Sequence, residues 1–202
     1  NLLDYTDNIS KKLGIVNTIK NINGKLYGYN TDFFAIRKKL SDLKDIKNYY
    51  ILIYGYGAIA KTTILALNSL GAKNIYINGR NKNKLNQLTV SLKLKNYIEK
   101  KFINKEKIFL INCSPVGMMG ICKDTMPFKS NLIIKSSVVM DMINFPSNTR
   151  LIKTAKKNNK KTISGNSISL YQIKYQSEIY LNKKLNSNFL YDLFKKLKIS
   201  FL

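Results

Sequence analysis

The chain has 202 residues, 45% of them hydrophobic, enough for one full domain with its own core and part of a second. It holds no histidine and two cysteines, Cys113 and Cys122, without metal-ligand spacing, which excludes a zinc site and a histidine-based triad and fits a reducing, cytoplasmic setting better than a disulfide scaffold. The net charge of +24 admits a nucleic-acid binder. The lysines are scattered rather than gathered in a tract, however, and Lys, Asn and Ile are abundant throughout, as nucleotide bias in the coding DNA would produce. A positive field would in either case help to collect an anionic ligand.

No apolar run is long enough to span a bilayer. The first residue is Asn1, with no leader and no starting Met, so the chain reads as a fragment or a processed piece. Residues 1–14 read as a short polar helix ending near Gly14. The stretch "NTIKNINGKLYGYNTD", 17–32, then reads as a hairpin, because Asn23-Gly24 between two alternating runs is a strong turn signal. With those two residues as the loop, 22 pairs with 25, 21 with 26, and 17 with 30. Asn17 and Asn30 then share a face, with Asp32 diagonal to Asn17. Two readings stand side by side. Two amides and a carboxylate could meet a polyhydroxylated ligand, or Thr31 or Asp32 could simply cap the next helix.

That helix follows in "DFFAIRKKLSDL", with apolar residues at 33, 34, 36, 40 and 43. "YYILIYGYG" reads as a buried strand running into a turn, and "AIAKTTILALNSLGA" as a helix stopped by Gly71. "NIYINGR" is the next strand, and 83–92 the next helix. "KIFLINCSPVG", "SSVVMDMI" and "KKTIS" read as three more buried strands, with a helix over 148–158 between the last two. Helices over 166–182 and 187–199 close the chain. Short apolar strands alternating with helices predict an α/β fold, a doubly wound parallel sheet covered on both faces.

The turn "YGYGAIA" places Gly55, Gly57 and Ala60 in the pattern G-x-G-x-x-A between a strand and a helix. There the first glycine makes the tight turn and the second lets the backbone approach a pyrophosphate. The small third residue lets helix and strand pack closely, and the helix N-terminus offers free N–H groups to phosphate. An NAD site wants an acidic residue after the second strand to hold the ribose hydroxyl. From Asn74 to Ile98 there is no Asp or Glu. Arg80, Lys82 and Lys84 stand there instead, and a guanidinium suits a phosphate dianion. NADP is therefore the cofactor these residues fit. In a lysine-rich chain Lys82 and Lys84 also read as ordinary surface cations; Arg80 does so less readily, because arginine is scarce here.

The motifs "GIVNTI", "GYNTD", "GYGAIA", "GR" after the second strand, "INCSPVGM", "VVMDMINFP", and Gly165 followed by Gln172 occur in this order. Together they resemble the shikimate dehydrogenase family over nearly the whole chain. The resemblance implies NADP-dependent reduction of 3-dehydroshikimate to shikimate in chorismate and aromatic amino acid biosynthesis. It implies an NADP-binding domain, residues 31–163, and the remnant of an α/β substrate-binding domain, residues 1–30 and 164–202. Asn17, Asp32 and Gln172 would touch the substrate, with Asp32 half of a proton-transfer pair whose partner is a lysine, and Asn30 and Thr31 mainly shaping the start of the helix. Gly55, Gly57, Ala58, Arg80 and Lys84 would bind the cofactor, with Met142 and Gly165 near the nicotinamide. No metal, nucleic acid or membrane is implied, and the oligomeric state is not legible.

The chain also departs from the family pattern. The family lysine and a serine pair lie upstream of the "VNT" motif, before Asn1, and Lys11 and Lys12 do not match that lysine. Asn144 stands where the family usually has Tyr, removing a substrate contact. G-x-G-G becomes Gly55-Tyr56-Gly57-Ala58, at a cost in phosphate affinity, and Ser167 replaces a glycine found in many relatives. The expectation is that the 202 residues alone bind NADP weakly and do not turn over, with Ile168, Leu170, Phe189, Leu190 and Leu193 exposed. A quinate- or NAD-using relative, an inactive NADP-binding remnant, and a basic nucleic-acid-binding protein are the alternatives.

Overall fold

The computed structural model describes residues 2–120 and 122–186, with Asp192 and Lys196. Apart from Asp192 and Lys196, the predicted helix over 187–199 lies outside the described residues, as do Phe189, Leu190 and Leu193. Among the described residues the chain forms two sheets, of three and six strands. No described helix is long and apolar enough to cross a membrane.

The small sheet contains β1 (Tyr5–Thr6), β2 (Thr18–Ile22) and β3 (Lys25–Tyr29), in the order β1-β3-β2. The hairpin register is the predicted one, with Ile22 opposite Lys25 and Thr18 opposite Tyr29. Asn23 and Gly24 both take positive φ, 52° and 82°, the turn an Asn-Gly pair adopts readily. The helix predicted over 1–14 is shorter: α1 spans Asn8–Leu13. Asp7 starts it by accepting a bond from Ser10 N–H at 2.6 Å. Just before that cap the backbone is extended, because Tyr5 and Thr6 pair with Tyr27 and Gly28, a partnership no local periodicity announces.

The large sheet is parallel, ordered β6-β5-β4-β7-β8-β9. Its strands are β4 (Tyr50–Tyr54), β5 (Asn74–Asn78), β6 (Lys95–Asn96), β7 (Ile108–Asn112), β8 (Ser136–Asp141) and β9 (Lys161–Ser164). Alternate residues feed two cores. Ile51, Ile53, Phe109 and Ile111 face one side, Leu52, Ile108 and Leu110 the other, and all are fully buried. Burial of both faces is why these strands read as continuous apolar runs.

The first core is covered by α2 (Thr31–Leu40), α3 (Ala58–Ser69) and α8 (Gly165–Leu181), with α2 packed against the other two. Leu85 and Leu88 of α4 (Lys82–Ser91) complete it. The second is covered by α5 (Glu99–Phe102), α6 (Ser130–Lys135) and α7 (Arg150–Lys157). Ile168, expected to be exposed, is 4% exposed because its face of α8 lies on the first core; Leu170 is half-buried. Strand order reverses between β4 and β7, the place where an open parallel sheet leaves a crevice beyond its C-terminal strand ends.

Candidate active site

A cleft of about 650 Å³ lies there. Asp32 and Ile59 line it from α2 and α3. Cys113, Ser114 and Pro115 come from the loop after β7, and Met142, Ile143 and Asn144 from the loop after β8. Gly165, Ile168, Ser169 and Gln172 come from α8. The last four recur at a helical spacing of three and four, one face of α8. Four residues singled out in the sequence, Asp32, Met142, Gly165 and Gln172, thus meet in one cavity. Gly165 must lack a side chain, since a Cβ there would sit 2.4 Å from Ile143 O.

The hairpin and α2 meet beside Asp32. Asn17 Oδ1 accepts from Thr31 N–H at 2.9 Å, Thr31 Oγ1 at 3.1 Å and Thr18 Oγ1 at 3.0 Å. Its Nδ2 is buried and has no hydrogen-bond partner among the described residues. Burial pushes the Asp32 carboxyl above the usual carboxylate range, and the Asn17 side chain pulls it part of the way back. The nitrogen is the end of an asparagine amide that can favour a carboxylate. Asn30 does not share this face, contrary to the pairing arithmetic. It is fully buried, its Nδ2 donating to Ile15 O at 3.2 Å and its Oδ1 capping α2 through Phe33 N–H at 3.0 Å. The ladder ends before it, and the cap claims its side chain. The cap of α2 is thus Asn30, not Thr31 or Asp32.

A second polar cluster sits under the cleft. Asn112 and Asp141 are register partners at the ends of β7 and β8. Asp141 accepts from Asn112 Nδ2 at 3.0 Å, Ile143 N–H at 3.2 Å and Thr149 Oγ1 at 2.6 Å. Asn112 Oδ1 accepts from Ser114 N–H and Oγ, at 3.1 and 2.7 Å. The two strand ends are thereby tied to both loops that line the cleft and to the N-cap of α7. Burial pushes Asp141 up to about 6, against the pull of those three donors, and pushes the Cys113 thiol, in the cleft wall, up to about 12. Sequence reading missed Asn112, Asp141 and Thr149 as a unit. Its available signal was a polar residue closing each of two apolar runs, 108–111 and 138–140.

Gly55, Gly57 and Ala58 lie beyond this cleft, at the β4–α3 turn. Gly55 has φ 126°, and a Cβ on it would meet Cys113 O at 2.5 Å, so the turn is pressed against the β7 loop. Gly57 is the N-cap of α3 and makes no side-chain cap bond. A Cβ on it would meet nothing within 4 Å, which leaves open space before unpaired N–H groups, the geometry a phosphate fits. Arg80 and Lys84 are exposed, at and after the end of β5. Tyr56 joins the two places: a Cβ on Gly79 would touch its ring at 3.1 Å, and Lys84 Nζ lies 6.0 Å from the ring centre. Among the described residues no cluster of His, Cys, Asp and Glu could hold a metal ion.

No family model matches the chain. It is 35% identical over 172 residues to the shikimate dehydrogenase (NADP(+)) of Aquifex aeolicus, covering 85% of this chain and 62% of that relative, so it spans under two thirds of that protein's length. It is 30% identical over 200 residues to the shikimate dehydrogenase (NADP(+)) of Caldanaerobacter subterraneus subsp. tengcongensis, covering 95% of this chain and 71% of the relative. Among solved structures, the Aquifex aeolicus shikimate dehydrogenase superposes with a TM-score of 0.82 at 30% identity, covering 95% and 70% of the two chains. A shikimate dehydrogenase in complex with NADP+ superposes with a TM-score of 0.76 at 30% identity, covering 93% and 68%.

Proposed function

Since the chain belongs to the shikimate dehydrogenase family, we propose that it carries the NADP-binding part and much of the substrate-binding part of an enzyme that interconverts 3-dehydroshikimate and shikimate. The observation that carries this is the meeting of Asp32, Met142, Gly165 and Gln172 in one cleft at the sheet's switch point. Residues 31–163 form the cofactor part in this reading, residues 1–30 and 164–202 the substrate part. When bound, the nicotinamide supplies or accepts the hydride at the substrate's carbonyl carbon.

The chain's own residues do the rest. Gly57, Ala58 and the N-terminus of α3 hold the pyrophosphate, with Gly55 making the turn. Arg80 and Lys84 hold the 2′-phosphate. Met142 and Gly165 shape the nicotinamide end. Asn17 and Gln172 hold substrate hydroxyls. Asp32 takes or gives the proton at the reacting oxygen, and its raised carboxyl suits that exchange. Asp32 has no ion pair among the described residues. The cation that a proton-transfer pair requires must therefore come from outside them, and the 202 residues alone are expected to bind NADP weakly without turnover.

Titrating the chain with NADP and with NAD tests the cofactor assignment. NADP should bind tighter by roughly tenfold or more, and Arg80→Ala should erase most of that difference, the worth of about one charge-assisted contact. Equal affinity for the two dinucleotides would overturn it. Quinate as substrate has one observation in its favour. Ser169 Oγ donates to Asn144 Oδ1 at 2.9 Å in the cleft wall, a polar pair that could receive an additional ligand hydroxyl.

A further inference from the structure

An asparagine side chain is nearly symmetric in shape, so its neighbours decide which end is nitrogen. Asn17 has one neighbour that cannot change roles, the backbone N–H of Thr31. The two hydroxyls beside it are less constrained. Thr18 Oγ1 and Thr31 Oγ1 lie 3.2 Å apart and either could donate. Gln176 Nε2, from α8, reaches Thr18 Oγ1 at 3.1 Å. Its donation occupies a lone pair of Thr18 and leaves the Thr18 proton to point at Asn17 or Thr31. Thr18 and Thr31 are buried, so water does not compete.

We infer that Thr18, Thr31 and Gln176 are positioning residues that lock Asn17 with its amide nitrogen toward Asp32, so that α8 holds the hairpin's polar end in its working orientation. Gln176 stands one helical turn after Gln172, so one helix both lines the cleft and fixes a side chain on the far side of Asp32. The role for a ligand rests on the function proposed above; the locking itself does not. It also accounts for the buried Nδ2 without a partner, a feature folded proteins seldom keep without a use. The group proposed to satisfy it is the Asp32 carboxylate.

The test reads Asp32 directly, by carboxyl carbon NMR of the ligand-free chain, with Asp32→Asn assigning the signal. That assignment separates it from Asp141, which also titrates above the carboxylate range. Cys113, also lining the cleft, titrates far higher. Thr18→Val and Gln176→Leu should each move the Asp32 titration upward, because a loosened Asn17 amide no longer favours the charged form. Their combination should move it no further than Thr18→Val alone, since Gln176 acts through Thr18. Thr18→Ser keeps the hydroxyl and should titrate like the unsubstituted chain. If Thr18→Val does not fold, Gln176→Leu, at a half-buried position, carries the test. An Asp32 titration unmoved by either substitution, or additive shifts, would overturn the proposal. Shikimate affinity, if the parent chain shows it, should fall about fivefold in Gln176→Leu with NADP affinity unchanged, the scale of one neutral hydrogen bond. A parent chain that binds neither ligand would count against the proposed function and leave the Asp32 result standing.

Discussion

Asp141 shows how much one buried side chain can decide. Asn112 Nδ2, Ile143 N–H and Thr149 Oγ1 all donate to it, while Thr149 Oγ1 also accepts from Ile152 N–H. Truncation would leave buried donors without acceptors. Asp141→Ala is expected to cost about 3 kcal/mol, each orphaned buried group costing roughly 1–3, as measured by urea unfolding at pH 7. The titration has a definite sign. The folded carboxyl sits near 6, above its ordinary value of 3.8, so between those values the folded chain holds a proton that the unfolded chain has released. This group's contribution is fully present below pH 4 and is lost as pH rises through 6. Asp141→Asn removes that dependence, so its stability relative to the parent should rise between pH 4 and pH 7. A pH-independent difference would show that Asp141 is not the buried acid described here. In the sequence this residue was one letter of "VVMDMINFP". Its partners lie 29 and 8 residues away, and only the sheet register brings the first of them beside it.

Whole elements divide sharply into those the sequence announces and those it does not. The central strands are legible because both faces are buried, and the hairpin register because Asn23-Gly24 admits few pairings. The elements missed, β1, β6, α5 and α6, have 2, 2, 4 and 6 residues, too short for a hydrophobic period, and exist because neighbours hold them. The β4–α3 turn separates two reasons for glycine. At Gly55 the constraint is internal: positive φ, and Cys113 O in the way. At Gly57 nothing in the fold resists a methyl group. Gly55→Ala should therefore lower the melting temperature by several degrees or prevent folding, a strain of about 2–4 kcal/mol. Gly57→Ala should melt like the parent while losing about tenfold or more in NADP affinity, because the methyl group takes space the phosphates need. Thermal melts paired with a dinucleotide titration check both. Gly57→Ala with unchanged NADP affinity would remove the turn from the cofactor site.

The charge is a property of the whole chain. Thirty-five cations face 11 acidic residues, so cations exceed carboxylates by 24 whatever the fold. Of the ion pairs formed among described residues, only Lys174–Glu178 is well buried on both sides. The remaining field is exposed and therefore screened by salt over a Debye length of about 10 Å at 0.1 M. Composition alone could not say whether that field serves nucleic acid or a small anion. In the function proposed above it serves the small anion, since the open N-terminus of α3 and the exposed Arg80 and Lys84 lie at neighbouring loops joined by Tyr56. NADP carries one more phosphate than NAD, and that phosphate would meet exposed cations rather than buried ones. Its advantage should therefore shrink with ionic strength: the NADP-to-NAD affinity ratio is expected to fall by several-fold between 50 mM and 500 mM salt. A nucleic-acid competitor at moderate salt should leave NADP binding unchanged. A salt-independent ratio would move the 2′-phosphate off Arg80 and Lys84, and displacement of NADP by DNA or RNA would assign the field to a polymer instead.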